Sequence, residues 1–206
     1  MSFFEKVAVI GFRGNSRQSF LAIQHPTAGL QLPAGSVEPG EQPDAAASRE
    51  FMEETGIAAI SNLREIATID EDLRGSAITK TAIDLFDDPS FTKSSQHRIP
   101  RGFRVQILQS LREAINVRYT EWLFKASAQE PSWSVEGWTE RGFIEARLLR
   151  HLYVCDVPDI SANHWMHAMD GHLSELGWYD VEMHPPLIPP QDRWLEEAIH
   201  FRQAAI

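Results

Sequence analysis

The chain has 206 residues, with 19 Lys and Arg against 29 Asp and Glu, a formal net charge of −10. Its 43% hydrophobic and 23% charged residues suit a globular protein with a sizeable core. The acidic balance argues against nucleic acid as a partner, because a counterion-release grip needs a basic face. A phosphorylated ligand would need a local basic patch or a metal ion to screen the repulsion. Cys155 is the only cysteine, so an intrachain disulfide and a thiolate cluster are ruled out, which suits a reducing compartment. No apolar run reaches the length of a membrane span. The opening residues read as a first strand, not a signal peptide. A cytoplasmic location and no membrane partner are the resulting expectations.

Lys6 to Gly14 and Ser19 to Gln24 are apolar runs separated by Gly14, Asn15 and Ser16, the pattern of a hairpin or of neighbouring strands. Leu30 to Leu32 is a short apolar piece, and Pro33 to Gly40, with two prolines and two glycines, is predicted loop. Pro43-Asp44 opens a helical run closed by Gly56, the usual proline-first, glycine-last asymmetry. Arg64 to Asp70 reads as a strand; Glu71 to Arg101 has no clear period. Ile107, Leu108, Leu111, Ala114 and Ile115 predict an amphipathic helix over Arg104 to Asn116. Tyr119 to Ala128 reads as strand, Gln129 to Trp138 as loop, and Gly142 to Ile144 as a strand before a short helix from Glu145. A helix is predicted from Asn163 to Leu176, then a strand from Trp178 to Met183. Asp192 caps a last helix through Trp194, Leu195, Ala198 and Ile199. Strands and helices intermingle, so the class is α/β or α+β.

The helix after Pro43 carries the chemistry. At about 100° per residue, Glu53 and Glu54 fall about 60° and 40° either side of Glu50, so three carboxylates share one face. Ala45, Ser48, Phe51, Met52 and Thr55 occupy the other side. Like charges at i,i+3 and i,i+4 oppose the helix by a few tenths of a kcal/mol per pair. A hard divalent cation, which takes oxygen ligands, would offset that. Arg49 beside this face is suited to orient one carboxylate. On the helix alone, a solvated acidic face is as good a reading.

The wider spacing separates the two. Gly35, Glu41, Arg49, Glu50, Phe51, Glu53, Glu54, Gly56 and Ile57 form G-x5-E-x7-R-E-F-x-E-E-x-G-I, which resembles the signature box of the Nudix hydrolases at every fixed position. That resemblance implies a three-layer α/β/α sandwich with a mixed sheet, one domain over residues 1–206, with an insertion at about 70–118 and an elaborated C-terminal region. It implies hydrolysis of a nucleoside diphosphate linked to another moiety, with Mg2+ or Mn2+ as cofactor. By position, Glu50, Glu53 and Glu54 would be metal ligands, joined by the Ala34 carbonyl. Glu41 and Arg49 would form the ion pair that positions the helix. Gly35 and Gly56 would supply backbone shapes other residues resist. Glu53 is the first candidate for the general base. Glu130 to Gly137 resembles a loop of the mutator-type nucleoside triphosphate pyrophosphohydrolases, making Glu136 a further ligand or base, with Glu140 in reserve. Homodimers are common in the family, so a homodimer is a further expectation.

The substrate is less sharply drawn. Leu32 to Gly35 resembles the approach to the box in ADP-ribose and ADP-sugar pyrophosphatases, but Asp72 and Leu73 stand where those enzymes often carry a proline. Lys93, His97, Arg98, Arg101 and Arg104 are the one basic cluster, with Phe103 among them. They would anchor phosphate while the ring stacks on a base; the competing reading is a solvated insertion. Trp133 and Trp138 offer stacking or core burial. His164, His167, Asp170 and His172 have superficial metal-ligand spacing without a complete motif. Gly11 and Gly14 lack the context of a dinucleotide fingerprint. A small-molecule pyrophosphohydrolase acting on a nucleotide sugar or nucleoside triphosphate, releasing a nucleoside monophosphate, is the expectation. The alternative is a catalytically silent Nudix-fold nucleotide-binding or regulatory module, disfavoured by the intact carboxylates.

Overall fold

The computed structural model describes residues 2–14, 18–26, 29–125, 128–158, 162–169 and 172–204. Asn15 and Ser16 of the first predicted turn, and Asp170, lie outside them. In chain order the elements are β1 (Phe4–Arg13), β2 (Ser19–His25), β3 (Gly29–Gln31), β4 (Ala34–Ser36), α1 (Pro43–Thr55), β5 (Ser61–Asp72), β6 (Ser76–Thr79), β7 (Ile83–Phe86) and β8 (Ser94–Ile99). They continue with β9 (Arg104–Ser110), β10 (Ala114–Lys125), β11 (Ala128–Glu140), a 3-10 turn (Arg141–Phe143), β12 (Ile144–Glu145), β13 (Arg147–Val157), β14 (His164–Met169), β15 (His172–Asp180) and α2 (Gln191–Ala204). Among them no helix is long and apolar enough to cross a membrane. The chain divides into two compact units: Glu5–Ile69 with Arg150–Ile206, and Met1–Phe4 with Asp70–Leu149.

The first unit is built on a sheet of order β14-β15-β2-β1-β13-β5, with β3 added to β2 and β4 to β1. β1 explains the layering. Its side chains alternate between faces, and both faces are covered, so the strand reads as an unbroken apolar run. Val7 and Val9 join Ala46, Ala47 and Phe51 of α1 in one core. Ala8, Ile10 and Phe12 join Trp194, Leu195 and Ala198 of α2 in the other. Helix, sheet and helix thus form three layers, the α/β/α arrangement expected of the sequence. Across the sheet, buried His151 on β13 lies 2.8 Å from Glu65 on β5 and 3.2 Å from Glu5 on β1, a polar row that stitches three strands.

α1 forms where the sequence places it. Pro43 occupies its first turn, and Gly56 ends it in the left-handed region at φ 74°, its N–H donating to the Met52 carbonyl at 2.8 Å. Gly11 on β1 sets how closely α1 lies on the sheet: a Cβ there would meet the Phe51 ring and Val157 at 2.9 Å. The close approach explains Gly11, and no nucleotide fingerprint is involved.

The second unit is an antiparallel sheet of order β12-β6-β9-β10-β11-β7-β8. Its core gathers Ala77, Ile83, Leu85, Ile99, Val105, Ile115 and Val117, with a smaller cluster of Phe4, Leu73, Ile78 and Leu148. Here several sequence-based elements are corrected. The helix predicted over Arg104 to Asn116 is β9, a turn and the start of β10. Leu108 and Leu111, which completed its helical stripe, are 37% and 41% exposed, while Val105, Ile115 and Val117 are buried. Pairing with β6 and β10 decides the conformation over the local period. The predicted loop Gln129 to Trp138 lies in β11, the predicted strand Gly142 to Ile144 is mostly the 3-10 turn, the predicted helix from Glu145 is the end of β12 followed by β13, and that over Asn163 to Leu176 is the β14–β15 hairpin.

The fold makes one early claim on α1. Phe51 is fully buried between the helix and β1. Phe51→Ala should lower unfolding free energy by about 3–5 kcal/mol, measured by denaturant titration; a loss below about 1 kcal/mol would contradict this packing.

Candidate active site

β4 and α1 place the box residues against each other. Arg49 is the centre. Its Nε donates to Glu41 Oε1 at 2.9 Å and its Nη2 to Glu41 Oε2 at 2.8 Å, a bidentate pair. Nη2 also donates to the Ser36 carbonyl at 3.0 Å. Nη1 donates to Glu50 Oε1 at 2.9 Å and to Glu53 Oε2 at 3.0 Å. Sharing one nitrogen, those two carboxylate oxygens can be no farther apart than two hydrogen bonds laid end to end. Glu41, which also accepts from the Glu38 N–H at 2.9 Å, pushes the Arg49 guanidinium further up, so it stays charged.

Backbone N–H groups of β4 also donate to two of the box carboxylates. The Ser36 N–H donates to Glu50 Oε1 at 3.0 Å, and the Ala34 N–H donates to Glu54 Oε2 at 2.8 Å. Between them lies Gly35. A Cβ there would sit 1.9 Å from the Glu50 carboxyl carbon, so only glycine leaves room for that side chain. Burial raises the Glu50 carboxyl above the usual carboxylate range, against the opposing pull of Arg49 and the Ser36 N–H. Glu53 is the exposed member, its side chain 53% accessible against 14% for Glu50.

The structure therefore brings together Ala34, Gly35, Glu41, Arg49, Glu50, Glu53 and Glu54, while Gly56 ends the helix that carries the last four. Among the described residues no three His, Cys, Asp or Glu side chains converge into a metal cage. Glu50 and Glu53 meet at a guanidinium, and Glu54 turns to a backbone amide. Ser36 has no fixed place in the box pattern, and its carbonyl became visible only once β4 was seen beside α1. Cys155 offers no nucleophile: burial pushes its thiol up to about 12.

The other sequence-derived candidates fall elsewhere. Glu136 is not in a loop. It lies on β11 in the second unit, where Arg118 Nε donates to it at 2.7 Å. Arg98 lies 3.9 Å from Asp84, and Arg101 lies over the Phe4 ring at 4.8 Å. Phe103 and Trp133 do come together. Tyr119 lies between them, with ring centroids at 5.6 and 6.0 Å, and His97 extends the row at 5.6 Å from Trp133. Arg104 lines a groove of about 740 Å3 on the same unit, with Arg74, Arg118 and Trp122. Trp138 is buried and Trp133 is 44% exposed, so the two tryptophans divide between core and surface. His164 and His167, three apart on β14, point to opposite faces: His164 pairs with Glu175 at 3.1 Å and His167 reaches α1. Their helical metal spacing does not exist in the fold.

The model of the NUDIX domain matches residues 4–96, which contain the whole constellation around Arg49. No curated protein matches the chain. Among solved structures, a mutant of the Bacillus subtilis pyrophosphohydrolase BsRppH is similar to it at 14% identity over 99% of this chain and 84% of that one, with a TM-score of 0.44.

The fit of Glu50 over Gly35 is testable without any assay of activity. Gly35→Ala should displace the Glu50 carboxyl and lose stability, but do so far less when Glu50 is already alanine. A double-mutant cycle by denaturant unfolding should show coupling of about 1 kcal/mol or more; additive effects would contradict the contact.

Proposed function

We propose that the chain is a divalent-metal-dependent pyrophosphohydrolase that cleaves a nucleoside diphosphate linked to another moiety. The observation that carries this reading is the set of box carboxylates gathered on one cation, Arg49, on a helix pinned to β4. The donor set suits Mg2+ or Mn2+, since hard ions take carboxylate and carbonyl oxygen. Glu50, Glu53 and Glu54 would hold the ion, with the Ala34 carbonyl as a further donor. Bound there, the ion would offset the charge of the diphosphate and favour attack by water.

The chain's own residues supply the rest. Arg49 and Glu41 fix the helix so that the carboxylates keep one geometry through the reaction. Glu50, held by Arg49, the Ser36 N–H and the Gly35 backbone, is the least free to move. Glu53 is exposed, held on its inner side by a single Arg49 nitrogen, and would accept a proton from the attacking water. The products would be a nucleoside monophosphate and a second phosphorylated fragment. Glu136, tied to Arg118 on another sheet, is left out of this assignment.

The insertion read at about 70–118 falls within the second unit, which would offer its own surface for a ligand. Most of the chain's acidic excess belongs to the first unit, whereas the second nearly balances its charges. Phe103 and Trp133 offer exposed rings, and Arg104 a cation, the chemistry that stacks a base and meets a phosphate.

The test is release of nucleoside monophosphate from ADP-ribose, ADP-glucose, common and oxidised nucleoside triphosphates, and a dinucleoside polyphosphate, with Mg2+ or Mn2+ present. At least one substrate should turn over only with metal. Glu53→Gln should reduce kcat by roughly 100-fold or more, a loss in the upper range for a positioned proton acceptor. Ligand binding with no hydrolysis, unchanged in affinity order by the substitution, would favour a nucleotide-binding module instead.

A further inference from the structure

The geometry points to His167 as a positioning residue for the box helix, a role that rests on the functional reading above. Trp165, His167 and Met169 alternate along β14, and Trp165 and Met169 belong to the core that contains α1. His167 therefore faces the end of that helix. Its Nε2 lies 3.0 Å from the Glu53 carbonyl oxygen. A carbonyl only accepts, so the Nε2–H donates.

The hydrogen bonds of the last helical turn show why this donor matters. A helix leaves its final carbonyls without partners. Here the Phe51 carbonyl accepts from Thr55 Oγ1 at 2.6 Å and the Met52 carbonyl from the Gly56 N–H at 2.8 Å. The next N–H, that of Ile57, would close a helical bond to Glu53, but it donates to Thr55 Oγ1 at 3.1 Å instead. The Glu53 carbonyl is thus released from the helical pattern, and His167 takes it. Gly56 makes the approach possible: a Cβ there would lie 3.0 Å from the imidazole Cε1. The box glycine has two duties in this chain, a left-handed helix stop and a seat for the ring.

Glu53 is consequently fixed at both ends, its carboxylate on Arg49 and its carbonyl on His167. The C-terminal hairpin sets the backbone origin of the exposed glutamate and of its neighbour Glu54. Removing the imidazole would let the last turn fray and blur the spacing of the two carboxylates toward an ion, while the sheet and both cores stay intact.

The experiment compares full-length wild type, His167→Ala and His167→Gln by Mn2+ titration with paramagnetic resonance, turnover, and amide hydrogen exchange across residues 53–57. Outer partners of metal ligands typically change affinity or activity by about 10–100-fold. His167→Ala should weaken Mn2+ binding by about tenfold, lower kcat, and speed exchange. His167→Gln, which keeps an N–H at a similar reach, should recover most of each. Equal Mn2+ affinity in wild type and His167→Ala would overturn the role, as would a glutamine variant no better than alanine. If wild type itself takes up no Mn2+, the functional reading fails. Exchange then decides the hydrogen bond separately: faster exchange in His167→Ala but not His167→Gln upholds the clamp, and unchanged exchange removes it.

Discussion

A guanidinium has five N–H donors in a fixed planar fork, and Arg49 spends all of them within the box. Two go to Glu41, one to the Ser36 carbonyl, and the remaining pair to Glu50 and Glu53. The constellation follows from that one side chain. It neutralises carboxylates that would otherwise repel along the helix, ties α1 to β4, and fixes the loop between them through Glu41. No lysine could repeat the pattern, since an ammonium is a point donor without the planar fork. Gly35 is the complement, an open place in the backbone that the Glu50 carboxyl fills.

Much of this was legible in the sequence because it is local. The helix, its proline start, its glycine stop and the shared face of Glu50, Glu53 and Glu54 follow from residues within one short segment. β1 was legible too, since a strand buried on both faces has to be apolar throughout. What the sequence hid depends on pairing between distant segments. Arg104 to Asn116 has apolar residues at helical spacing, yet Leu108 and Leu111 end on the surface because β9 and β10 pair. The same held for Asn163 to Leu176, where a helical reading put His164 and His167 on one face and the hairpin puts them on opposite ones. Glu136 looked like a loop carboxylate until β11 paired it across from Arg118.

The two units differ in character. The first surrounds its sheet with helices and carries most of the negative charge. The second is sheet alone, with exposed rings and most of the arginines. The second unit's surface, nearly balanced in charge, carries arginines and exposed rings, whereas the helix of the first unit gathers carboxylates.

In the proposed function, Arg49 organises the carboxylates for a metal ion through geometry and not charge alone. The most direct measurement is Mn2+ affinity and turnover of Arg49→Lys beside wild type, with folding checked by thermal denaturation. The expected variant is folded, retains the charge and loses at least about tenfold in each, comparable to other losses of groups that orient metal ligands. A lysine variant with wild-type affinity and turnover would contradict it.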